Sequence, residues 1–331
     1  MKKTACILLW IAAALMIAAL VFAVPSGSML SEYQDRWLDD AWDSEGFLRL
    51  LIPQANAEEA PASLPIDFTP GMTPNPAAYS EDGYQDDSIA VRLETREEEG
   101  VVWRIAWVDI KDPSQLRTGI AGDKVSSKRT SLVSSMAQKY NAVIAISGDY
   151  YVNDPQKTSF EYRMGQMIRS KRNRVKDILI IDENGDFHTF IKSDEAKMKA
   201  FANSGHAIVN AFTFGPALVS EGNLVACDTG YGYNPQGKEP RMAIGQMGPL
   251  SYVIVLAEGR NKDSEGVNHQ ELADFMFDLG CIEAFNLDGG NTATIVFGDG
   301  YYQTARTVTN ERAQSDCIYF ATTVDPASWS N

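Results

Sequence analysis

The sequence predicts an α+β fold, a mixed, strongly twisted β-sheet core with flanking helices, preceded by an N-terminal membrane anchor. Three observations predict it. Strand-like apolar runs and helical patterns intersperse without strict βα alternation. Glu183-Asn184-Gly185 separates two alternating runs, and Asn-Gly accepts the positive φ angles that a tight hairpin needs. One helix is marked at both ends: Asn268 and Glu271 make a capping box, and Gly280 stops it.

The first element is N-terminal. Met1-Lys2-Lys3 precedes an uncharged apolar run from Ala5 to Val24. At about 20 residues the run suits one membrane span, and the lysines favour export of the chain beyond it. Val21-Phe22-Ala23 also fits a cleavage site, so 1–24 is read as an anchor or a removed signal, with an extracytoplasmic remainder. Residues 25–78 form a stalk and linker. Trp37, Leu38, Ala41 and Trp42 stand at helical spacing, and six prolines between Pro53 and Pro76 forbid regular structure. The folded domain is expected over 79–325.

Within it, Ile89, Val91 and Leu93 alternate with polar neighbours, and Val101–Ile110 answers them across an acidic turn at 97–100. Ser131–Tyr140 has a helical pattern and Ala142–Ser147 that of a buried strand. The hairpin comprises 177–181 and 186–190, and Asp194 caps a helix running towards Asn203. Leu272, Phe275, Met276 and Leu279 give the capped helix its apolar face. Strands are expected over 281–288, 295–297 and 317–321.

Composition narrows the function. The chain has 331 residues, 44% of them hydrophobic, with 29 basic against 44 acidic residues and a net charge of -15. That field repels nucleic acid, so no nucleic-acid partner is expected. Three histidines and no CxxC or HExxH pattern argue against a zinc site. Of four cysteines, Cys281 and Cys317 fall on strand-like segments, where they either pair or stay as buried thiols.

Polar punctuation at strand ends carries the chemistry. Asn286-Leu287-Asp288-Gly289-Gly290-Asn291-Thr292 places an amide, a carboxylate, bare backbone donors and a hydroxyl within seven residues. An Asp-Gly turn without function has the same pattern. Gly148-Asp149-Tyr150-Tyr151 comes after a buried strand, and Glu258-Gly259-Arg260 after another. Arg241 sits between Pro240 and the apolar Met242-Ala243-Ile244, a setting that demands an anionic partner. That partner is either an acid such as Asp288 or a phosphate gripped bidentately.

In this order, Gly148-Asp149-Tyr150-Tyr151, Phe214-Gly215-Pro216-Ala217-Leu218-Val219, Pro240-Arg241 with Ala243-Ile244-Gly245, Glu258-Gly259-Arg260, Ser264-Glu265-Gly266, Glu271-Leu272-Ala273 and Asn286-Leu287-Asp288-Gly289-Gly290 resemble the phosphodiester glycosidase family. That family includes an enzyme that uncovers mannose 6-phosphate by removing N-acetylglucosamine. The resemblance spans about Tyr79 to Val324, with Ser147, Met242 and Glu258 departing from the family pattern. It implies hydrolysis of a glycosyl–phosphate bond in a phosphorylated glycan, in surface polysaccharide or glycoconjugate. The departures leave open a membrane-tethered binding module without turnover. It further implies Asp288, Glu258 and Asp149 as catalytic candidates. Arg241, Arg260, Gly148, Gly289, Gly290, Asn286 and Thr292 would hold phosphate or sugar, with Tyr150 or Tyr151 as an apolar wall. No cofactor is required, though Asp288, Asp149 and Asn286 are oxygen ligands suited to calcium or magnesium. Arg169, Lys171, Arg172, Arg174 and Lys176 form a basic cluster, read as a solvated loop or a guide for an anionic polymer.

Overall fold

A computed structural model describes residues 70–123, 129–149, 159–171, 173–298, 300–304 and 311–329. In chain order its strands and helices are β1 (Tyr79–Ser80), β2 (Gly83–Gln85), β3 (Ile89–Glu98), β4 (Val101–Ile110), β5 (Leu116–Ile120), α1 (Val133–Lys139), β6 (Ile144–Ser147), β7 (Phe160–Arg163), β8 (Gln166–Ser170), β9 (Ile178–Asp182), β10 (Phe187–Phe190) and α2 (Glu195–Ser204). Next come β11 (Ile208–Phe212), β12 (Ala217–Ser220), β13 (Asn223–Leu224), β14 (Arg241–Gly248), β15 (Ser251–Ala257), α3 (His269–Asp278), β16 (Glu283–Leu287), β17 (Thr294–Phe297), β18 (Gly300–Thr304) and β19 (Asp316–Phe320).

Three sheets result. The largest has the order β1-β2-β3-β4-β15-β14-β16-β12-β13; the others run β10-β9-β11-β7-β8 and β18-β17-β6-β19-β5. The α+β class holds, but the expected mixture of strand directions does not. Every pairing among the described strands is antiparallel. The apolar patterns predict strands, while direction is set by connections that the pattern does not encode.

The layers arise from alternation. One face of the large sheet contributes Val91, Val108, Ile244, Leu256, Phe285 and Leu287 to the main core, where Ile144, Ile146, Leu179, Phe212, Ile295 and Ile318 of the smaller sheets meet them. The opposite face, with Ile105, Ala243, Val255 and Ala284, is covered by Leu272, Ala273 and Met276 of α3. On the outer faces of the small sheets, α1 packs through Val133 and Met136 and α2 through Met198 and Phe201. Each fully buried aliphatic or aromatic side chain contributes about 1.5–3 kcal/mol.

Local signals are realised where they are strongest. Both halves of the Asn268/Glu271 capping box form, and the Asp194 carboxylate accepts from the N–H groups of Ala196 and Lys197. The large sheet begins at Tyr79, and ahead of it Gly71 donates to Tyr140 O and Met72 bridges to Thr322. Cys281 and Cys317 lie unpaired in different cores, on opposite sides of the large sheet. The anchor over 1–24, the helical spacing at 37–42 and the prolines up to 65 lie outside the described residues. Among those described, no helix is long and apolar enough to cross a membrane.

Candidate active site

The polar segments singled out in the sequence meet at one end of the large sheet. The pairings Arg241↔Ala257 and Met242↔Leu287 set the start of β14 level with the ends of β15 and β16. Glu258–Arg260, Pro240–Arg241 and Asp288–Gly290 are therefore neighbours across three adjacent strands. The Gly290 N–H donates to the Pro240 carbonyl oxygen at 2.7 Å. A Cβ on Gly289 would lie 2.7 Å from that same oxygen, so only glycine lets the loop cross β14 so closely. From the facing sheet, the end of β6 reaches in: the Asp288 N–H donates to Gly148 O at 3.2 Å. The segment after β11 completes the ring, with Asn286 N–H on Pro216 O at 3.0 Å and Nδ2 on Gly215 O at 2.7 Å.

Arg260 is the guanidinium that this loop receives. It lies against Gly290, its Nη1 donates to Asn291 Oδ1 at 3.3 Å, and Nε and Nη2 both bind one oxygen of Glu239. Asp288 is half-buried at the base of the loop and Asn291 is exposed at its tip. Beneath them, Asn286 Oδ1 and Thr292 Oγ1 are buried and have no hydrogen-bond partner among the described residues. An unmet buried polar atom costs about 1–3 kcal/mol, so these two atoms mark where a water or ligand hydroxyl binds favourably. Glu239, which orients Arg260, is not conspicuous in the sequence because it precedes the more obvious Pro240-Arg241.

Arg241 differs from both expectations. All five of its N–H donors are engaged inside the protein. Nε binds Val267 O, Nη1 binds Tyr233 O and His269 Nε2, and Nη2 binds Asn234 O and Gly237 O, at 2.6–3.2 Å. Neither an acid nor an open face is its partner; it clamps the 233–239 loop. Burial, with Arg260 nearby, lowers its pKa to about 10, so the clamp stays charged at neutral pH. Burial and the charges of Arg241 and Lys176 push His269 down to about 3. The imidazole is therefore neutral and accepts the arginine N–H at Nε2.

The two other carboxylates are also engaged. Glu258 is buried and pairs with Arg104 Nε at 2.8 Å, two strands away from the glycine loop. Asp149 turns into the core, where one oxygen accepts from Arg163 Nη2 at 2.5 Å and the other from the Thr213 N–H at 3.1 Å. Arg163 also meets Glu161 and Asp316, and all four side chains are at most 3% exposed. Three carboxylates around one guanidinium cannot all ionise at low cost. Burial, with the Asp149 charge beside it, raises Glu161 well above the usual carboxylate range, and burial raises Asp316. Gly148 serves this cluster, since a Cβ there would strike the Asp316 carboxyl at 2.5 Å. Both oxygens of Asp149 are thus engaged within the core, while Asn286 and Asp288 stand at the glycine loop.

Tyr150 and Tyr151 lie outside the described residues. Another aromatic wall is present: Phe214 stacks on Tyr233 with ring centroids 4.2 Å apart, and both are half-buried. Lys176 holds its ammonium 4.2 Å from the Tyr233 ring and 4.0 Å from that of Tyr231. The basic cluster is thus divided. Arg169 lies in β8, Lys171 and Arg174 are exposed, Arg172 is outside the described residues, and Lys176 donates to Tyr231 O beside the loop that Arg241 holds.

Comparison with known proteins agrees with the ordered segments. The model of the phosphodiester glycosidase family matches residues 140–321, more than half of the chain. The chain belongs to the phosphodiester glycosidase family. A Bacillus subtilis (strain 168) member of the curated proteins, the SPbeta prophage-derived uncharacterized protein YomE, is 25% identical over 169 residues. These cover 49% of this chain and only 25% of that protein. Among solved structures, the catalytic domain of zebrafish N-acetylglucosamine-1-phosphodiester alpha-N-acetylglucosaminidase, auto-inhibited by its pro-peptide, superposes with a TM-score of 0.54 at 16% identity. The match covers 76% of this chain and 87% of that one, and at this identity it shows the shared fold. The phosphodiester glycosidase segment starts within the α1–β6 turn, so it takes in the ends of β6, β11, β14, β15 and β16 from which the site is built.

Proposed function

We propose that this chain is an extracytoplasmic hydrolase of sugar-1-phosphodiester linkages in surface polysaccharide or glycoconjugate. The observation that carries the reading is the Arg260 guanidinium set on the Asp288–Asn291 loop, where three neighbouring strands end. Family membership makes a glycosyl–phosphate bond the reaction to expect there. Such a bond leaves with a stable phosphate anion, so strong protonation of the departing oxygen is unnecessary. Positive charge must hold the leaving phosphate, and a carboxylate must support the oxocarbenium-like carbon and orient water. Arg260 fills the first role. Asp288 fills the second. Phe214 and Tyr233 offer an apolar wall to the sugar ring, and Lys176 a second cation.

The test is release of sugar from an N-acetylglucosamine-1-phosphodiester model compound. Asp288→Asn should lower kcat by about 10²–10⁴-fold with the fold intact. Arg260→Ala should lower kcat/KM by about 10–100-fold, the worth of one charge-assisted contact to phosphate. Full turnover in the Asp288 variant would sink the assignment. The second reading, a tethered module that binds phosphorylated glycans without cleaving them, is favoured by one observation: Arg241, Glu258 and Asp149 all commit their polar atoms to internal partners. Saturable binding with no release by the parent chain would select it. Export rests on the apolar run Ala5–Val24 and is tested by protease accessibility in intact cells.

A further inference from the structure

We propose that Asp182, Glu183, His188 and His206 form a structural binding site for a zinc-like divalent cation, at the opposite end of the β10-β9-β11 sheet from the candidate active site. The sequence gives no metal motif, yet two of the chain's three histidines meet here. The register explains why: His188 pairs with Ile180, diagonal to Asp182, and Ile208 pairs with Asp182, which brings the approach to β11 alongside. Asp182 Oδ2 lies 3.0 Å from His188 Nε2 and 3.4 Å from His206 Nδ1, and Glu183 Oε1 lies 3.0 Å from His206 Nδ1. Zn–N and Zn–O bonds of about 2.0–2.2 Å hold neighbouring ligands of a tetrahedral site about 3.3–3.6 Å apart. The donor atoms of Asp182, Glu183 and His206 already lie within 4.8 Å of one another, and His188 reaches the same Asp182 oxygen.

The carboxylates are also held as metal ligands are held. The second oxygen of Asp182 accepts from the Asn184 and Asp186 N–H groups at 2.8 and 3.0 Å, and that of Glu183 from the Ala207 N–H at 2.7 Å. Each is left with one oxygen turned to the imidazoles. Phe201 backs both rings, with centroids 4.8 Å from His188 and 6.2 Å from His206. Two imidazoles and two carboxylates suit zinc or a neighbouring transition metal rather than calcium. Four protein ligands make a closed, structural site. The cation would staple the β9–β10 turn to the segment entering β11, whose far end delivers Thr213 and Phe214.

The experiment uses the full-length chain without a histidine tag, stripped by chelator and titrated with Zn²⁺ by calorimetry. One equivalent should bind and raise Tm, and Co²⁺ should give the visible bands of tetrahedral coordination. His188→Gln and His206→Gln, checked for fold by circular dichroism, should each weaken binding by about 100-fold while leaving glycosidase turnover in place. No saturable uptake, or uptake equal in both variants and the parent, would overturn the site and leave imidazole–carboxylate hydrogen bonds. Because turnover is read separately, loss of this site and loss of the proposed activity are distinguishable.

Discussion

Arg241 shows how far a single residue can be read from its neighbours. Proline before it and apolar residues after it announce burial, and the residue is 4% exposed. What the sequence hides is the partner, because backbone carbonyls carry no letter of their own. Five acceptors drawn from Tyr233, Asn234, Gly237, Val267 and His269 cannot be served by an ammonium with three donors. Arg241→Lys is therefore expected to destabilise the fold by about 2–4 kcal/mol, from acceptors left unmet. Urea unfolding measures this. Folded Arg241→Lys protein should keep most of its kcat. Unchanged stability with collapsed turnover would instead put the guanidinium on the substrate. Asp288 and Arg260 were legible because glycines beside them flagged a special backbone; Glu239 and the Phe214–Tyr233 stack carried no such flag.

Elements with strong local grammar were plain in the sequence. The β3–β4 and β9–β10 hairpins and the capped helices α2 and α3 stand where turn and capping residues put them. β7 was invisible for a physical reason: Phe-Glu-Tyr-Arg reads as half-polar, yet all four residues are buried because the charges find each other. That burial has a cost that depends on pH. For carboxyls raised by folding, both states are protonated below the ordinary carboxylate range and their contribution to stability is full. As pH rises, the unfolded chain releases protons that raised groups in the folded chain retain, so stability falls until the folded values are passed. Glu161, Asp316, Asp177 and Glu283 all shift upward, chiefly through burial. The share of the unfolding free energy that Glu161 contributes should therefore decline as pH rises above the ordinary carboxylate range, so parent and Glu161→Gln should diverge there. An identical slope in parent and variant would mean that Glu161 is ionised in the native state.

At the scale of the whole molecule, a net charge of -15 opposes the approach of the anionic substrate proposed for it. Among the described residues, the cations Arg260, Arg241 and Lys176 work against that field at the site. Raising ionic strength from about 0.01 to 0.15 M shortens the Debye length from about 30 to 8 Å, which silences distant acids more than nearby arginines. kcat/KM for a charged phosphodiester should accordingly rise over that range; a fall would show that the local cations already dominate at long reach.

The pairing of strands also decides where this domain can be cut. The segment shared with the phosphodiester glycosidases begins at residue 140, but β15 is flanked by β4 and β19 by β5, both earlier in the chain. Trimming to the shared segment would strip one hydrogen-bonding edge from each strand and bare the row of N–H and C=O groups that seeds aggregation. It would also take Arg104 from Glu258. The shared part is thus not a foldable part, and soluble material has to start ahead of Tyr79.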